Sequence, residues 1–318
     1  MSGMTPFNSR RKALQLVAGA AIAAGTQRSS AAPGATADLP GAGTLIRRKI
    51  PASGELMPVI GLGTYLSFDV GSTDAERAPL RDVLQSFQAA GGRLVDSSPM
   101  YGRSETVVGD LASGLVPAHP LFVATKVWTS GRAAGVQQME ESFKRLRVST
   151  IDLMQVHNLL DLATHLPTLQ AFRREGRLRY LGITHYQAGA YPELAQLLRR
   201  GGFDFVQFNY SIAEREAEQM LLALALDTGT AVIINRPFAQ ANLFQRVRGR
   251  TLPAWCSEFG CSSWAQFFLK YIIAHPAVTC VIPATGKPAH VLDNMGAGHG
   301  LLPDAANRRR MVALVDNL

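Results

Sequence analysis

A single (β/α)8 barrel preceded by an N-terminal β-hairpin is the fold class this sequence predicts, and three observations predict it. Eight short runs of branched apolar residues alternate with longer stretches of helical periodicity. The units recur about every 30 to 40 residues, and the roughly 270 residues after a linker fill one barrel and leave no room for a second domain. Residues able to do chemistry fall at or just past the ends of successive runs, which is the rim where barrels of this architecture build their active sites.

In chain order, residues 1–32 read as an address. Ser9-Arg10-Arg11-Lys12-Ala13-Leu14 precedes a charge-free stretch from Ala13 to Gln27, and Ser30-Ala31-Ala32 has the small-residue pattern of a processing site. The segment resembles a bacterial twin-arginine export signal. It is too short and alanine-rich for a stable membrane span, which needs about 20 strongly apolar residues. The resemblance implies a soluble protein that meets the twin-arginine translocation machinery and ends in the periplasm, with no stable membrane insertion. Residues 33–43, rich in Ala, Gly and Pro, read as a linker, and the fold is expected over 44–318.

Leu45 to Ile50 and Leu56 to Ile60 flank the turn-rich Pro51-Ala52-Ser53-Gly54-Glu55, which predicts the hairpin. Strands are predicted around Val59-Ile60-Gly61, Leu94-Val95-Asp96, Phe122-Val123-Ala124, Leu153-Met154-Gln155, Leu181-Gly182-Ile183, Phe205-Val206-Gln207, Val232-Ile233-Ile234 and Cys280-Val281-Ile282. Helical patterns cover Leu80 to Ala90, Val136 to Leu146, Leu166 to Arg174, Leu194 to Arg200, Met220 to Leu226 and Trp264 to Ile273, with a last helix over Asp304 to Val315. A doubly wound dinucleotide fold is the architectural rival. Its glycine fingerprint should follow the first strand, but Gly61-Leu62-Gly63-Thr64-Tyr65-Leu66 lacks the third glycine.

Net charge is +8 over 318 residues. Arg10, Arg11, Lys12 and Arg28 precede Pro33 with no acid among them, which leaves 28 basic against 24 acidic residues in the body. That balance is too mild to argue for a nucleic-acid partner, no basic stripe interleaved with aromatics appears, and no nucleic acid is expected. Cys256, Cys261 and Cys280 have no metal-ligand spacing, and their odd number does not indicate a disulfide framework; no metal is expected.

Asp96, Tyr101, Lys126 and His157 sit at the ends of the second, third and fourth runs. A phenol titrating near pH ~10 is a poor acid at neutral pH, and an ammonium beside it favours the phenolate. Lys126 can be that ammonium, Asp96 can hold it charged, and Tyr101 then becomes a usable proton donor. His157 can hydrogen-bond a substrate carbonyl and set its angle. Singly, these residues have ordinary readings as a helix cap, a packing ring, a surface lysine and a core histidine; their joint placement carries the inference.

Asp96-Ser97-Ser98-Pro99-Met100-Tyr101-Gly102, Thr125-Lys126 and Gln155-Val156-His157-Asn158 resemble the catalytic tetrad of the aldo-keto reductases, and the similarity runs from about Ile50 to the C-terminus. The resemblance implies reduction of an aldehyde or ketone by hydride from NADPH, with NAD(H) as the alternative cofactor and a small carbonyl compound as substrate. It implies that Thr184, His185 and Gln207 meet the nicotinamide amide, although His185 stands where the family has asparagine. Near the seventh strand Arg236 is counted with the cofactor residues, and Phe238 or Tyr210 stands in for the family's stacking aromatic. Thr285, Lys287, His290, Asp293 and Asn294 correspond to the adenosine-phosphate pocket, where two of the family's basic positions are Ala284 and His290. Tyr65, Trp128 and Phe238 are expected around the substrate. Two other readings remain at this stage: an exported dinucleotide-binding sensor or accessory protein with little turnover, and a Schiff-base enzyme using Lys126.

Overall fold

The computed structural model describes residues 43–115 and 120–318. The expected export signal, and the linker up to residue 42, lie outside the described residues. Two short strands, β1 (Arg47–Lys49) and β2 (Leu56–Pro58), pair antiparallel with Arg47 opposite Pro58, as the hairpin pattern predicts. Eight parallel strands follow: β3 (Leu62–Gly63), β4 (Leu94–Asp96), β5 (Phe122–Val127), β6 (Ile151–His157), β7 (Leu178–His185), β8 (Phe205–Asn209), β9 (Ala231–Asn235) and β10 (Val278–Val281). They neighbour one another in sequence order.

Bridges between Ile60 and Val281 and between Gly63 and Ala284 join the first strand to the last. The Gly61 amide donates to Val281 O at 2.8 Å and the Gly63 amide to Pro283 O at 3.1 Å. The expected first strand at 59–61 thus lies mostly on this seam, and the regular ladder starts just after it, at Leu62. Gly63 is needed there: a Cβ would lie 2.8 Å from Ile282 O, too close for a carbon against a carbonyl.

Side chains alternate across each strand, so every second residue enters the barrel. Leu94, Phe122, Leu153, Tyr180, Phe205, Ala231 and Ile233 fill its lower part, and Ile50 and Met57 of the hairpin pack among them to close that end. Arg48 fastens the hairpin by donating to the carbonyls of Ile273, His275 and Val278. The alternate set, including Val95, Val123, Met154, Ile183, Val206 and Val232, forms the larger core beneath the helices. Continuing the inward register upward brings Asp96, Lys126, Gln155 and Gln207 into a polar layer at the other end. The order of apolar and polar residues along each strand therefore decides which mouth is closed and which reacts.

Ten α-helices appear among the described residues: α1 (Asp74–Ala89), α2 (Ser104–Ala112), α3 (Arg132–Leu146), α4 (Leu162–Arg174), α5 (Tyr191–Arg200), α6 (Leu221–Asp227), α7 (Asn242–Arg246), α8 (Trp264–Ile273), α9 (Pro288–Gly296) and α10 (Ala305–Asp316). Helix α1 starts six residues before the apolar pattern suggests, because Thr73 and Glu76 form a reciprocal capping box there. Helix α10 matches the expected C-terminal helix, with the Asp304 carboxylate accepting from the Asn307 amide at 2.7 Å. Among the described residues no helix is long and apolar enough to cross a membrane. Cys256, Cys261 and Cys280 are free and buried.

Candidate active site

Strand ends β4, β5 and β6 bring Asp96, Lys126 and His157 together, and the turn after β4 adds Tyr101. That turn is closed by the Tyr101 amide donating to Ser98 O at 3.0 Å and the Ser104 amide to Tyr101 O at 3.1 Å. Gly102 follows with φ +58°, and a Cβ on it would meet the Asp69 carboxyl at 2.3 Å, so glycine is favoured where the chain turns into α2. The four expected residues thus share one floor.

Lys126 is fully buried, with Nζ 2.6 Å from Asp96 Oδ2 and donating to Ser97 O at 2.7 Å. Gln155 and Gln207 donate their amides to Asp96 Oδ1 at 3.3 and 3.0 Å, and Thr184 donates to Gln207 Oε1 at 3.1 Å. The carboxylate is consequently held from three strands. Nζ of Lys126 lies 4.9 Å from the Tyr101 ring centre, and the His157 ring stands edge-on to Tyr101 with centres 6.0 Å apart. Tyr65 tilts against the other side of Tyr101 at 4.9 Å.

Burial works against charge on Lys126, but Asp96 and Tyr101 together outweigh it and hold the ammonium pKa above its usual value. The lysine is a fixed cation. The sequence predicts that the ammonium lowers the Tyr101 phenol pKa, and the structure corrects this. Burial pushes the phenol up, Lys126 opposes without prevailing, and Asp96 adds to the upward push. Tyr101 therefore keeps its proton throughout the neutral range. Burial, then Lys126, then His185 drive His157 down to about 2, so its ring is neutral.

The neutral histidine also affects stability. The unfolded ring titrates at 6.5 and the folded one at about 2, so between those values the unfolded state binds more protons. The stability this ring contributes is present above pH 6.5 and is lost as pH falls, by up to about 1.4 kcal/mol per pH unit. Burial lowers His185 and His275 in the same direction. We expect the urea midpoint to decline from pH 6.5 to 5, and His157→Gln to make that decline shallower; an unchanged slope would contradict the assigned neutrality.

Above the floor opens a cavity of about 1070 Å³. Of the predicted residues, Tyr65, Asp96, Tyr101, His157, Thr184, Gln207, Arg236, Phe238, Thr285, His290, Asp293 and Asn294 line it. Lys126, fully buried beneath the floor, does not line it, and neither do His185 and Lys287. Strand alternation turns Thr184 inward and His185 away, where its ring stacks on Tyr186 at 5.7 Å. Lys287 is the N-cap of α9, its amide donating to Thr285 Oγ1 at 3.1 Å. Trp128 is also outside the lining: Gln138 of α3 pins its backbone, and its ring lies 6.4 Å from His157. Tyr210 faces the core instead, donating to Glu218, which also accepts from Tyr271 at 2.7 Å and Arg308 at 2.6 Å.

The sequence did not single out Leu66, Met100, Asn158, Tyr186, Asn235, Gln240, Phe244, Ser263 or Trp264, which also line the cavity. The oxygens Asn158 Oδ1 and Asn235 Oδ1 are buried without a hydrogen-bond partner among the described residues. The Arg236 guanidinium lies over the Tyr186 ring, 4.3 Å from its centre. At the far end Asp293 accepts from Ser263 Oγ at 2.8 and 2.9 Å and from Gln266 at 2.9 Å, which joins α9 to the start of α8. The helix start at Pro288 and the motif resemblance pointed to this end. Ser263 and Gln266 carry the Ser-x-x-Gln pattern of a helix start, Ser263 capping α8 by accepting from the Gln266 amide at 3.1 Å, but that pattern marks a cap and not a binding site.

A family model described as the aldo/keto reductase family matches residues 59–310. Methylglyoxal reductase YeaE of Escherichia coli (strain K12) is 28% identical over 260 residues, covering 78% of this chain and 88% of that protein. An NADH-specific methylglyoxal reductase of the same strain is 28% identical over 214 residues, covering 58% of this chain and 64% of that protein. A crystal structure of an aldo/keto reductase from Klebsiella pneumoniae with NADP and acetate superposes with a TM-score of 0.69 at 25% identity, covering 82% of this chain and 93% of that one.

Proposed function

Since the chain belongs to the aldo/keto reductase family and is an NAD(P)H-dependent oxidoreductase, we propose that it reduces an aldehyde or ketone to an alcohol with Tyr101 as the proton donor. One observation carries this reading: a fully buried Lys126–Asp96 ion pair, the Tyr101 phenol and a neutral His157 meet at the floor of one cavity. A structural role alone does not call for that combination, because a buried ion pair is a weak source of stability.

The cavity suits the cofactor. Its volume slightly exceeds the usual range of about 300–1,000 Å³ for small-molecule sites, leaving space for a carbonyl compound beside a dinucleotide. The unpartnered oxygens of Asn158 and Asn235 call for donors that the described residues do not supply. Thr184 and Gln207 would hold the nicotinamide end, Arg236 the phosphates, and Thr285, His290, Asp293 and Asn294 the adenosine end. His185 and Lys287 are set aside as contacts. NADP(H) is the proposed cofactor, with NAD(H) as the alternative. Reduced nicotinamide, when bound, supplies a hydride to the carbonyl carbon.

The chain's own residues do the rest. His157 donates to the carbonyl oxygen and fixes its direction. Tyr101 passes its proton to that oxygen as charge builds on it, and the phenolate left behind faces the Lys126 cation. Tyr65, Leu66, Met100 and Phe244 form an apolar rim that limits water and favours substrates with an apolar part.

Purified protein should oxidise NADPH through many turnovers in a panel of aldehydes and ketones that includes methylglyoxal. A single turnover with the oxidised cofactor retained would instead favour a sensor. Periplasmic localisation is proposed from Arg10 and Arg11, with the folded protein carried across together with its cofactor. An Arg10→Lys/Arg11→Lys double variant that is still exported would remove that part.

A further inference from the structure

We propose that Ser98 is a positioning residue that fixes the tautomer of His157, so that Nε2 carries the hydrogen and points it at the substrate carbonyl. The inference rests on the proposed carbonyl reduction for its purpose, but its physical content does not depend on turnover.

A neutral imidazole has one N–H and one lone pair, and only an Nε2–H tautomer can donate from Nε2 to a carbonyl oxygen. His157 is 6% exposed and lines the cavity, and Nδ1 faces Ser98 Oγ at 3.1 Å. Nε2 makes no hydrogen bond with the described residues, so it is the ring nitrogen left for a ligand. The choice of tautomer therefore falls on the serine.

Ser98 is fully buried, and its hydroxyl has one hydrogen to place. The Met100 amide approaches Ser98 Oγ at 3.4 Å as a donor, so it takes a lone pair and cannot receive that hydrogen. Among the described residues Nδ1 is the acceptor left within hydrogen-bond reach. If Nδ1 carried the ring proton it would donate to Ser98 Oγ, and the hydroxyl hydrogen would be buried without an acceptor. In the opposite arrangement the hydroxyl donates to Nδ1, each group is satisfied, and Nε2–H faces the cavity. The turn that carries Tyr101 therefore sets the histidine as well. Backbone bonds in Ser98–Tyr101 place the phenol, and the Ser98 hydroxyl places the second donor to the same oxygen.

The direct test is 15N NMR of histidine-labelled protein with NADP+ bound, with His157 assigned by its loss in His157→Gln. A pyridine-like Nδ1 and a pyrrole-like Nε2 are expected; the reverse would overturn the proposal. The nitrogen signals are read without turnover, so a protein that reduced no carbonyl would still report its tautomer. In Ser98→Ala a population of the Nδ1–H form should appear and kcat should fall about three- to tenfold, the size of one ordinary hydrogen bond, with the Kd for NADPH unchanged. Ser98→Thr keeps the hydroxyl and should restore both the signal and kcat. Ser98→Ala with unaltered nitrogen shifts and unaltered kcat would also overturn it.

Discussion

Tyr101→Phe is expected to lower kcat for carbonyl reduction by about 10²- to 10⁴-fold, the usual contribution of a positioned general acid, while the Kd for NADPH changes little. The substitution removes one oxygen and keeps the ring that packs against Tyr65 at 4.9 Å and stands edge-on to His157 at 6.0 Å. Packing is thus preserved and proton donation is lost. Dinucleotide binding by fluorescence quenching and turnover by cofactor absorbance separate the two effects. Undiminished kcat would reject Tyr101 as the acid.

The same assignment has a pH signature. Burial holds the Tyr101 phenol above its ordinary value, and His157 titrates at about 2. Neither group changes charge in the neutral range, so kcat/KM for reduction should be flat there, since that ratio reports the free enzyme. Alcohol oxidation needs the phenolate instead. Its kcat/KM should rise about tenfold per pH unit on the acid side of the phenol pKa, because the competent fraction grows in that proportion. A plateau in oxidation below pH 9 would contradict the upward shift.

The barrel and its floor were legible in the sequence because both follow from strand alternation. A residue's parity relative to the buried run decides whether it faces the helices or the interior, and Asp96, Lys126 and His157 all lie on the inward register. The same parity separates Thr184 from His185, a distinction the motif resemblance did not make. Helix α2 was not legible, because no side chain caps it at Arg103 and its start depends on the turn at Tyr101. What places it is tertiary: Glu105 is fully buried and accepts from Thr125 on β5 at 2.6 Å. The wall beyond β9 was equally hidden. Ala239, Gln240 and Ala241 all have positive φ, with Arg236 before them, yet none is glycine, so local residue preference gave no sign of that conformation. Its cost of about 1–2 kcal/mol per residue must be met by contacts, and Phe238 packs on Phe244 at 4.8 Å within the segment. The Lys126 charge was readable from composition, but its effect on Tyr101 was not, because the sequence carries no measure of how far burial opposes the phenolate.

Lys126→Met should abolish measurable turnover and destabilise the fold by about 3–5 kcal/mol, because it strands the Asp96 carboxylate in a buried site. Lys126 is fully buried and Asp96 is 2% exposed, so solvent cannot replace the missing partner. The two Gln amides on Oδ1 remain, but they are neutral donors facing a charge. The informative variant is Lys126→Met combined with Asp96→Asn. It removes both charges while keeping an oxygen for Gln155 and Gln207, and buried pairs replaced by neutral groups are often no less stable than the original. Urea denaturation should therefore show the double variant recovering much of the stability lost in Lys126→Met, while its kcat stays as low. That divergence would locate the value of the ion pair in chemistry: the ammonium is kept in the barrel to face the phenolate, and the carboxylate is kept to hold the ammonium. If stability and kcat instead recovered together, the pair would owe its place to packing, and Tyr101 would need another source of charge stabilisation.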